Sequence, residues 1–209
     1  MKSTVPSAER LRAASGENLL RIWRNAAEIL VNQSRPADHQ PAHETQTQIE
    51  LEWSRRCADG VWPDLWLPWP RTVSSPAVGG GIYQKPVPDD GMLKAMGYHV
   101  GQTKPVREPL RRLILQRIVD GALPPVETPD YVGQWGEPGS SDRLAKLART
   151  LANLAFNEER RGRSAEGAYG QRKADLNFLY DQYYVGKFDF VWPLLGDEVA
   201  TPASPYRHT

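Results

Sequence analysis

Basic side chains recur along two segments of the chain, at spacings that suit contact with a phosphate backbone. Each lysine or arginine that meets a phosphate adds a salt-dependent increment of binding affinity. The candidate nucleic-acid contacts are Arg111, Arg112, Lys146, Arg149, Arg160, Arg161 and Arg163. The sequence predicts that the last five share one exposed face. The alternative is an ordinary solvated helix face, on which Glu158 and Glu159 balance part of the positive charge.

The chain as a whole is close to neutral. It has 209 residues, with 26 Lys and Arg against 25 Asp and Glu, for a formal charge of +1. This balance excludes a histone-like polycation and an acidic tail protein. Any contact with nucleic acid must therefore come from local clustering of the basic residues.

Tryptophan is the second residue type here that is suited to binding. The chain has seven tryptophans, and Trp62, Trp66 and Trp69 lie close together in a segment rich in proline and glycine. Buried aromatic anchors dominate many protein interfaces, so these three are candidate partner-binding residues. We favour the alternative, in which the segment wraps a helical surface and buries its own rings, because that needs no second molecule.

The residues that bind metals and cofactors are sparse. His39 and His43 are four positions apart, but Pro41 lies between them and predicts a surface loop rather than a metal site. Cys57 is the only cysteine, which excludes an intramolecular disulfide and a cysteine-built zinc site. No phosphate-binding loop or metalloprotease motif occurs in the sequence. We expect no metal, no cofactor and no catalytic residue.

Two short tyrosine-containing patterns point to a different chemistry. Gly81-Ile82-Tyr83 is followed by Tyr98-His99-Val100-Gly101, and the pair resembles the signature of the GIY-YIG nucleases. The resemblance implies two tyrosines on adjacent strands of a small sheet, with Arg107 and a metal-binding Glu127 completing the site.

The sequence departs from that family pattern in three places. The second triplet contains an extra residue, Pro86 and Pro88 occupy the position of the first strand, and residues 91–97 have a helical pattern. We therefore expect that Tyr83 and Tyr98 do not lie side by side on adjacent strands. A small metal-dependent nuclease is kept as the alternative function.

Apolar residues recur at steps of three and four along most of the chain, which predicts helices. The predicted helical segments are 16–33, 46–59, 91–97, 107–121, 128–136, 140–162 and 164–184. The predicted core consists of Leu113, Ile114, Leu144, Leu147, Leu151, Leu176 and Leu179. The expected fold is mainly α, a small helical bundle wrapped by the tryptophan- and proline-rich irregular segment, with few or no strands.

Changes in composition along the chain predict four regions. They are an N-terminal helical region (1–60), an irregular connector rich in Trp, Pro and Gly (61–91), a C-terminal helical domain (92–193) and a polar tail (194–209). No apolar run has the length of a signal peptide or a membrane span. The sequence therefore predicts a cytoplasmic protein without a membrane partner.

One further resemblance covers about half of the chain, from Met92 to Pro193. The order MLKAMGYHVG, RRLILQRIV, QWGEPGSSDRLAKLA and ADLNFLYDQYYVGKFDFVWP resembles a C-terminal block that recurs in bacterial proteins without an assigned activity. The resemblance implies a bacterial intracellular protein and leaves open a link with mobile elements or phage defence. We expect a non-catalytic helical accessory module of a bacterial assembly, which binds nucleic acid or a protein partner.

Overall fold

The computed structural model describes residues 5–60, 65–67, 91–101, 105–160 and 167–195. Within these ranges there is no strand, and the helices are α1 (Ala8–Ala13), α2 (Gly16–Leu30), α3 (His39–Asp59), α4 (Gly91–Met96), α5 (Glu108–Asp120), α6 (Pro129–Gly133), α7 (Ser141–Arg160) and α8 (Ala168–Leu179). A 3-10 turn, Pro36–Asp38, precedes α3, and a π-helical turn, Tyr180–Tyr184, follows α8. The expected mainly α bundle is thus confirmed for this part of the chain.

Serine hydroxyls fix the beginnings of the first two helices. Ser7 Oγ accepts a hydrogen bond from the Arg10 N–H at 3.3 Å, and Ser15 Oγ accepts one from the Asn18 N–H at 3.2 Å. Each cap satisfies one of the backbone donors that the first turn of a helix leaves without an acceptor. The sequence pattern does not predict α1, because six residues are too few to produce a periodic signal.

The third helix begins earlier than predicted. Pro36 and Pro41 predict a break before residue 46, whereas α3 begins at His39 and carries Pro41 in its first turn. A backbone N–H in that turn has no intrahelical acceptor, so proline costs no hydrogen bond there. The predicted surface loop around His39 and His43 is therefore wrong.

Two tryptophans join α2 to α3. Trp23 and Trp53 are fully buried, and their ring centroids lie 6.0 Å apart in a tilted arrangement. Trp23 Nε1–H donates to Glu50 Oε1 at 3.2 Å. Both side chains remove a large apolar area from water, and the contact between their rings stabilises the packing of α2 on α3 further.

The predicted core is confirmed in α5, α7 and α8, with one exception. Six of its residues are buried in a single cluster, namely Ile114, Leu144, Leu147, Leu151, Leu176 and Leu179. Leu113 is half-buried and packs against this cluster from outside. The same cluster contains Leu19 of α2 and Ile49 of α3, so the N-terminal helices contribute to one continuous core.

A buried arginine connects α3 to α1 and to the connector. Arg56 is fully buried, and its Nε–H donates to Glu52 Oε1 at 2.7 Å. Its Nη2 donates to the carbonyls of Ala14 at 2.7 Å and Leu11 at 3.1 Å, and its Nη1 donates to the carbonyl of Leu65 at 2.9 Å. The carbonyls at the end of α1 thereby gain the donors that the helix itself lacks.

The connector contributes residues 65–67 to the described structure. Leu67 N–H donates to Pro125 O at 2.8 Å, and Glu127 N–H donates to Leu67 O at 2.9 Å. These two bonds form an isolated parallel bridge to Val126. Trp66, immediately before the bridge, is buried.

The segment after α8 turns back on the helix. In the π-helical turn the Val185 N–H donates to Tyr180 O at 3.1 Å. The Phe190 ring then packs on Tyr184 and Trp192, with centroid distances of 4.9 and 5.8 Å. This aromatic cluster places residue 190 beside the beginning of α7.

Candidate nucleic-acid interface

Helix α7 exposes one side and buries the other. Leu144, Leu147 and Leu151 are buried in the core. Since an α-helix has 3.6 residues per turn, residues three or four positions apart on the other side form a continuous outer face. We call this face the α7 surface, and it consists of Lys146, Arg149, Asn153 and Phe156.

A serine cap fixes where α7 begins. Ser140 Oγ accepts a hydrogen bond from the Arg143 N–H at 3.2 Å and donates one to Glu137 O at 2.7 Å. The Ser140 hydroxyl thereby satisfies one of the backbone N–H groups in the first turn of α7.

The α7 surface borders an open recess of about 330 Å³. The recess is lined by Gly133, Gln134, Gly136, Ser141, Asp142, Ala145, Lys146, Arg149 and Phe190. Two of these residues are cationic, and Asp142 is the one carboxylate among them. The recess thus combines a surplus of positive charge with small residues and one aromatic ring.

The cations of the α7 surface differ from several other arginines in their partners. Several arginines pair with carboxylates, namely Arg35 with Asp38, Arg55 with Asp59, Arg107 with Glu28, and Arg112 with Glu108. Within the described ranges, neither Lys146 nor Arg149 forms such a pair. Arg149 is exposed and Lys146 is half-buried. These two charges are therefore available to an anionic ligand.

The nearest glutamates divide between the two sides of α7. Glu158 is 7% exposed, and its Oε1 lies 3.5 Å from Arg172 Nη1 on α8. The solvated-face alternative requires Glu158 to lie on the α7 surface. Its burial against α8 shows that it does not. Glu159 is exposed near the end of the helix.

The structure corrects the prediction for Arg111. This arginine is buried, its Nε–H donates to Asp175 Oδ2 at 2.7 Å, and its Nη2 donates to Asp175 Oδ1 at 3.2 Å. Tyr98 Oη donates to the same carboxylate at 2.8 Å. Burial, together with the Asp175 carboxylate, raises the pKa of Tyr98 well above its ordinary value. Arg111 is therefore occupied inside the bundle and cannot meet a phosphate.

The other predicted contacts do not join the α7 surface within the described structure. Arg112 lies on α5, where its Nη2 is 2.5 Å from Glu108 Oε1 and its guanidinium covers the Phe178 ring at 4.9 Å. The side chain of Arg160, and all of Arg161 and Arg163, lie outside the described residues. For these last three, the predicted contact with nucleic acid stays a prediction.

Of the three tryptophans predicted to bind a partner, only Trp66 lies within the described residues. Trp66 is 9% exposed and offers little surface to a partner. This burial agrees with the expectation that the connector buries its own rings at this position. Trp62 and Trp69 lie outside the described residues, and their role stays a prediction.

The candidate metal ligands and the lone thiol form no recognisable centre. His39 Nε2 lies 3.0 Å from Asn32 O, and His43 follows one turn later on α3. Across the described part of the chain, no group of three or more His, Cys, Asp or Glu residues is placed to hold a metal ion. Burial raises the pKa of the Cys57 thiol to about 11, so it is protonated at neutral pH.

Two of the residues implied by the nuclease resemblance have other partners. The Tyr98 hydroxyl donates to Asp175, and Arg107 Nη2 donates to Glu28 Oε2 at 3.1 Å. Tyr83 lies outside the described residues. The expectation that Tyr83 and Tyr98 are not paired on strands therefore stays a prediction.

Sequence reasoning missed Phe156, which is 52% exposed. The signal is present in the chain, because Phe156 follows Arg149 by seven residues, or two helical turns. That spacing places the ring on the polar side of α7 rather than on the line of leucines. An apolar residue on a polar helix face is a feature that periodicity can detect.

Comparisons with known proteins add no assignment to this surface. Across the described residues, every helix is too short or too polar to traverse a lipid bilayer. No protein-family model, curated protein or solved structure matches this chain.

Proposed function

We propose that the protein is a non-catalytic helical module that binds nucleic acid through the α7 surface. The observation that carries the proposal is the pair of cations on one side of α7, Lys146 and Arg149, which have no carboxylate partner among the described residues. They are one turn apart and line the same recess. A phosphate backbone can supply an anionic partner to each of the two cations.

An unpaired cation binds a phosphate at a lower cost than a paired one. Arg107, for example, has to give up its hydrogen bond to Glu28 before it can bind a phosphate. Among the described residues, Lys146 and Arg149 have no such bond to give up, and the cations that they displace from the phosphate backbone favour binding by their release. The two cations of the α7 surface are therefore prepared for contact with a polyanion.

The rest of the surface supports contact with a backbone rather than with a compact anion. Asn153 follows Arg149 by one turn and is exposed, and its amide can donate to a phosphate or a base edge. Asp142 is exposed in the first turn of α7 and lines the recess, so it disfavours a compact anion bound there. A strand that extends from Lys146 toward the C-terminal end of α7 meets Arg149 and Asn153 and leads away from this carboxylate.

The wider setting is also part of the proposal. We infer an accessory module of a larger bacterial assembly that acts in the cytoplasm. This setting rests on the resemblance of residues 92–193 to a recurring bacterial block.

A binding titration at several salt concentrations tests the proposed function. Fluorescent single-stranded and duplex DNA and RNA are titrated with the full chain and with the double variant Lys146→Gln, Arg149→Gln. We expect the variant to weaken binding to every sequence alike, because phosphate contacts carry no base information. The slope of log K against log salt should become shallower by about 1.4 for single strands, or about 0.7 per contact.

The matched control removes the same amount of charge from paired arginines. The double variant Arg107→Gln, Arg112→Gln should keep the salt slope of the wild type, because both arginines already have carboxylate partners. The proposal fails if no nucleic acid binds at low salt, or if the control lowers the slope as much as the α7 variant does. Absence of binding at low salt would leave a protein partner as the ligand class, whereas an equal effect of the control would mean that nucleic acid is not bound specifically by the α7 surface.

A further inference from the structure

We infer that the nucleic acid bound by the α7 surface is a single strand, and that Phe156 provides the ring on which one of its bases stacks. This inference rests on the proposed function and specifies its ligand. It follows from the exposure of Phe156, from its position relative to the cations, and from the partners of the other aromatic rings.

Phe156 is the one exposed aromatic side chain among the residues that the structure describes, with 52% of its surface open to solvent. Its ring has no aromatic neighbour and no cation over it within those ranges. Covering an exposed ring of this size removes apolar area from water, which favours binding of another flat apolar surface.

The other aromatic rings near α7 already have partners. Phe178 is covered by the Arg112 guanidinium at 4.9 Å. Phe190 lines the recess, but its ring packs on Tyr184 and Trp192. Phe156 is therefore the ring that remains available for a base.

The spacing along α7 brings the two kinds of contact together. Arg149 and Phe156 are seven residues apart, which is about 10.5 Å along the helix axis at 1.5 Å per residue. Asn153 lies between them on the same face. A strand whose phosphates contact Lys146 and Arg149 can thus place a nearby base at Phe156.

The chemistry favours a single strand over a duplex. In a duplex the faces of the bases are stacked on one another, so a ring on a helix surface can reach them only by separating a base step. In a single strand the faces are free, and stacking on an aromatic side chain tolerates every base. An apolar protein segment would also cover Phe156, but it would leave the two neighbouring cations without anionic partners.

The test measures the affinity of Phe156 variants for one oligonucleotide in single-stranded and duplex form. Phe156→Ala should weaken binding of the single strand by about 5- to 150-fold, which corresponds to the loss of one stacked base. Phe156→Leu should weaken it in the same direction, whereas Phe156→Trp should preserve or increase affinity. The salt slope should stay that of the wild type, because no charge is removed.

The possible outcomes separate this inference from the proposed function. If the Lys146 and Arg149 variant lowers the salt slope but Phe156→Ala binds the single strand like the wild type, the inference is wrong and the proposed function stands. If Phe156→Leu binds as tightly as the wild type, or if duplex binding falls equally, stacking is also excluded. If no oligonucleotide binds at all, it is the proposed function that fails. Circular dichroism of each variant checks that the exposed substitution leaves the helices intact.

Discussion

Arg143 and Arg149 stand on opposite sides of α7 and illustrate two different uses of the same side chain. Arg143 is 3% exposed and donates to the backbone carbonyls of Trp135, Gly136, Ile118 and Gly121. Burial lowers its pKa to about 10, so it keeps its charge at neutral pH. Arg149 faces solvent and has no ion pair among the described residues.

The comparison shows that acceptors and burial decide what an arginine does in this fold. Arg143 meets carbonyls at the end of α5 and in the α6–α7 connection, which need donors that the backbone does not supply. Its five N–H donors in a fixed fork can serve several such carbonyls at once. Among the described residues Arg149 meets no acceptor of that kind, and its charge faces solvent.

The largest expected effect comes from breaking the buried ion pair on the inner side of the bundle. Asp175→Ala leaves Arg111 and the Tyr98 hydroxyl buried without their shared acceptor. We expect the free energy of unfolding to fall by about 3–5 kcal/mol, measured by urea denaturation. The matched control, Glu108→Ala, breaks the exposed pair with Arg112 and should cost less than about 1 kcal/mol. Equal losses would contradict the distinction between inner and outer charges.

The next effect concerns the two arginines directly. Arg143→Ala removes the donor from buried carbonyls, and we expect a loss of about 2–4 kcal/mol in the free energy of unfolding. Arg149→Ala, on the outer face of the same helix, should change that free energy by no more than about 0.5 kcal/mol. Parallel urea denaturation of both variants provides the measurement. A large loss for Arg149→Ala would mean that this side chain has a structural role.

The smallest effect concerns the cap that begins α7. Ser140→Ala removes the acceptor for the backbone N–H of Arg143. This should lower the free energy of unfolding by about 1 kcal/mol. The neighbouring substitution Ser141→Ala serves as its control, because this serine is exposed in the first turn of the helix. Thermal denaturation distinguishes the two variants. If Ser141→Ala proves the more costly, the cap has been assigned to the wrong hydroxyl.

Local sequence patterns were sufficient for most of the fold. The leucine spacing of α7 depends on residues a few positions apart, and the predicted helix is confirmed. The predicted segment 128–136 contains the shorter helix α6, which Thr128 caps at its beginning. The prolines before α3 misled the prediction, because the effect of Pro41 depends on where in the helix it lies. A proline in the interior would have broken the helix, but one in the first turn does not.

The candidate site was only partly predictable for a different reason. Lys146 and Arg149 could be assigned to an outer face from their spacing alone. Arg111 could not be recognised as buried, since its partner Asp175 is 64 residues away in the chain. The local pattern around Arg111 is the same whether such a carboxylate folds onto it or not.

The buried Arg56 has a consequence for how the N-terminal region assembles. A helix of six residues, like α1, does not persist in water by itself, because it cannot recover the entropy lost in forming its first turn. The Leu11 and Ala14 carbonyls at its end bind a guanidinium that α3 provides. We therefore expect α1 to order only after α3 has formed, and the amide protons of α1 to exchange with solvent whenever this guanidinium is released.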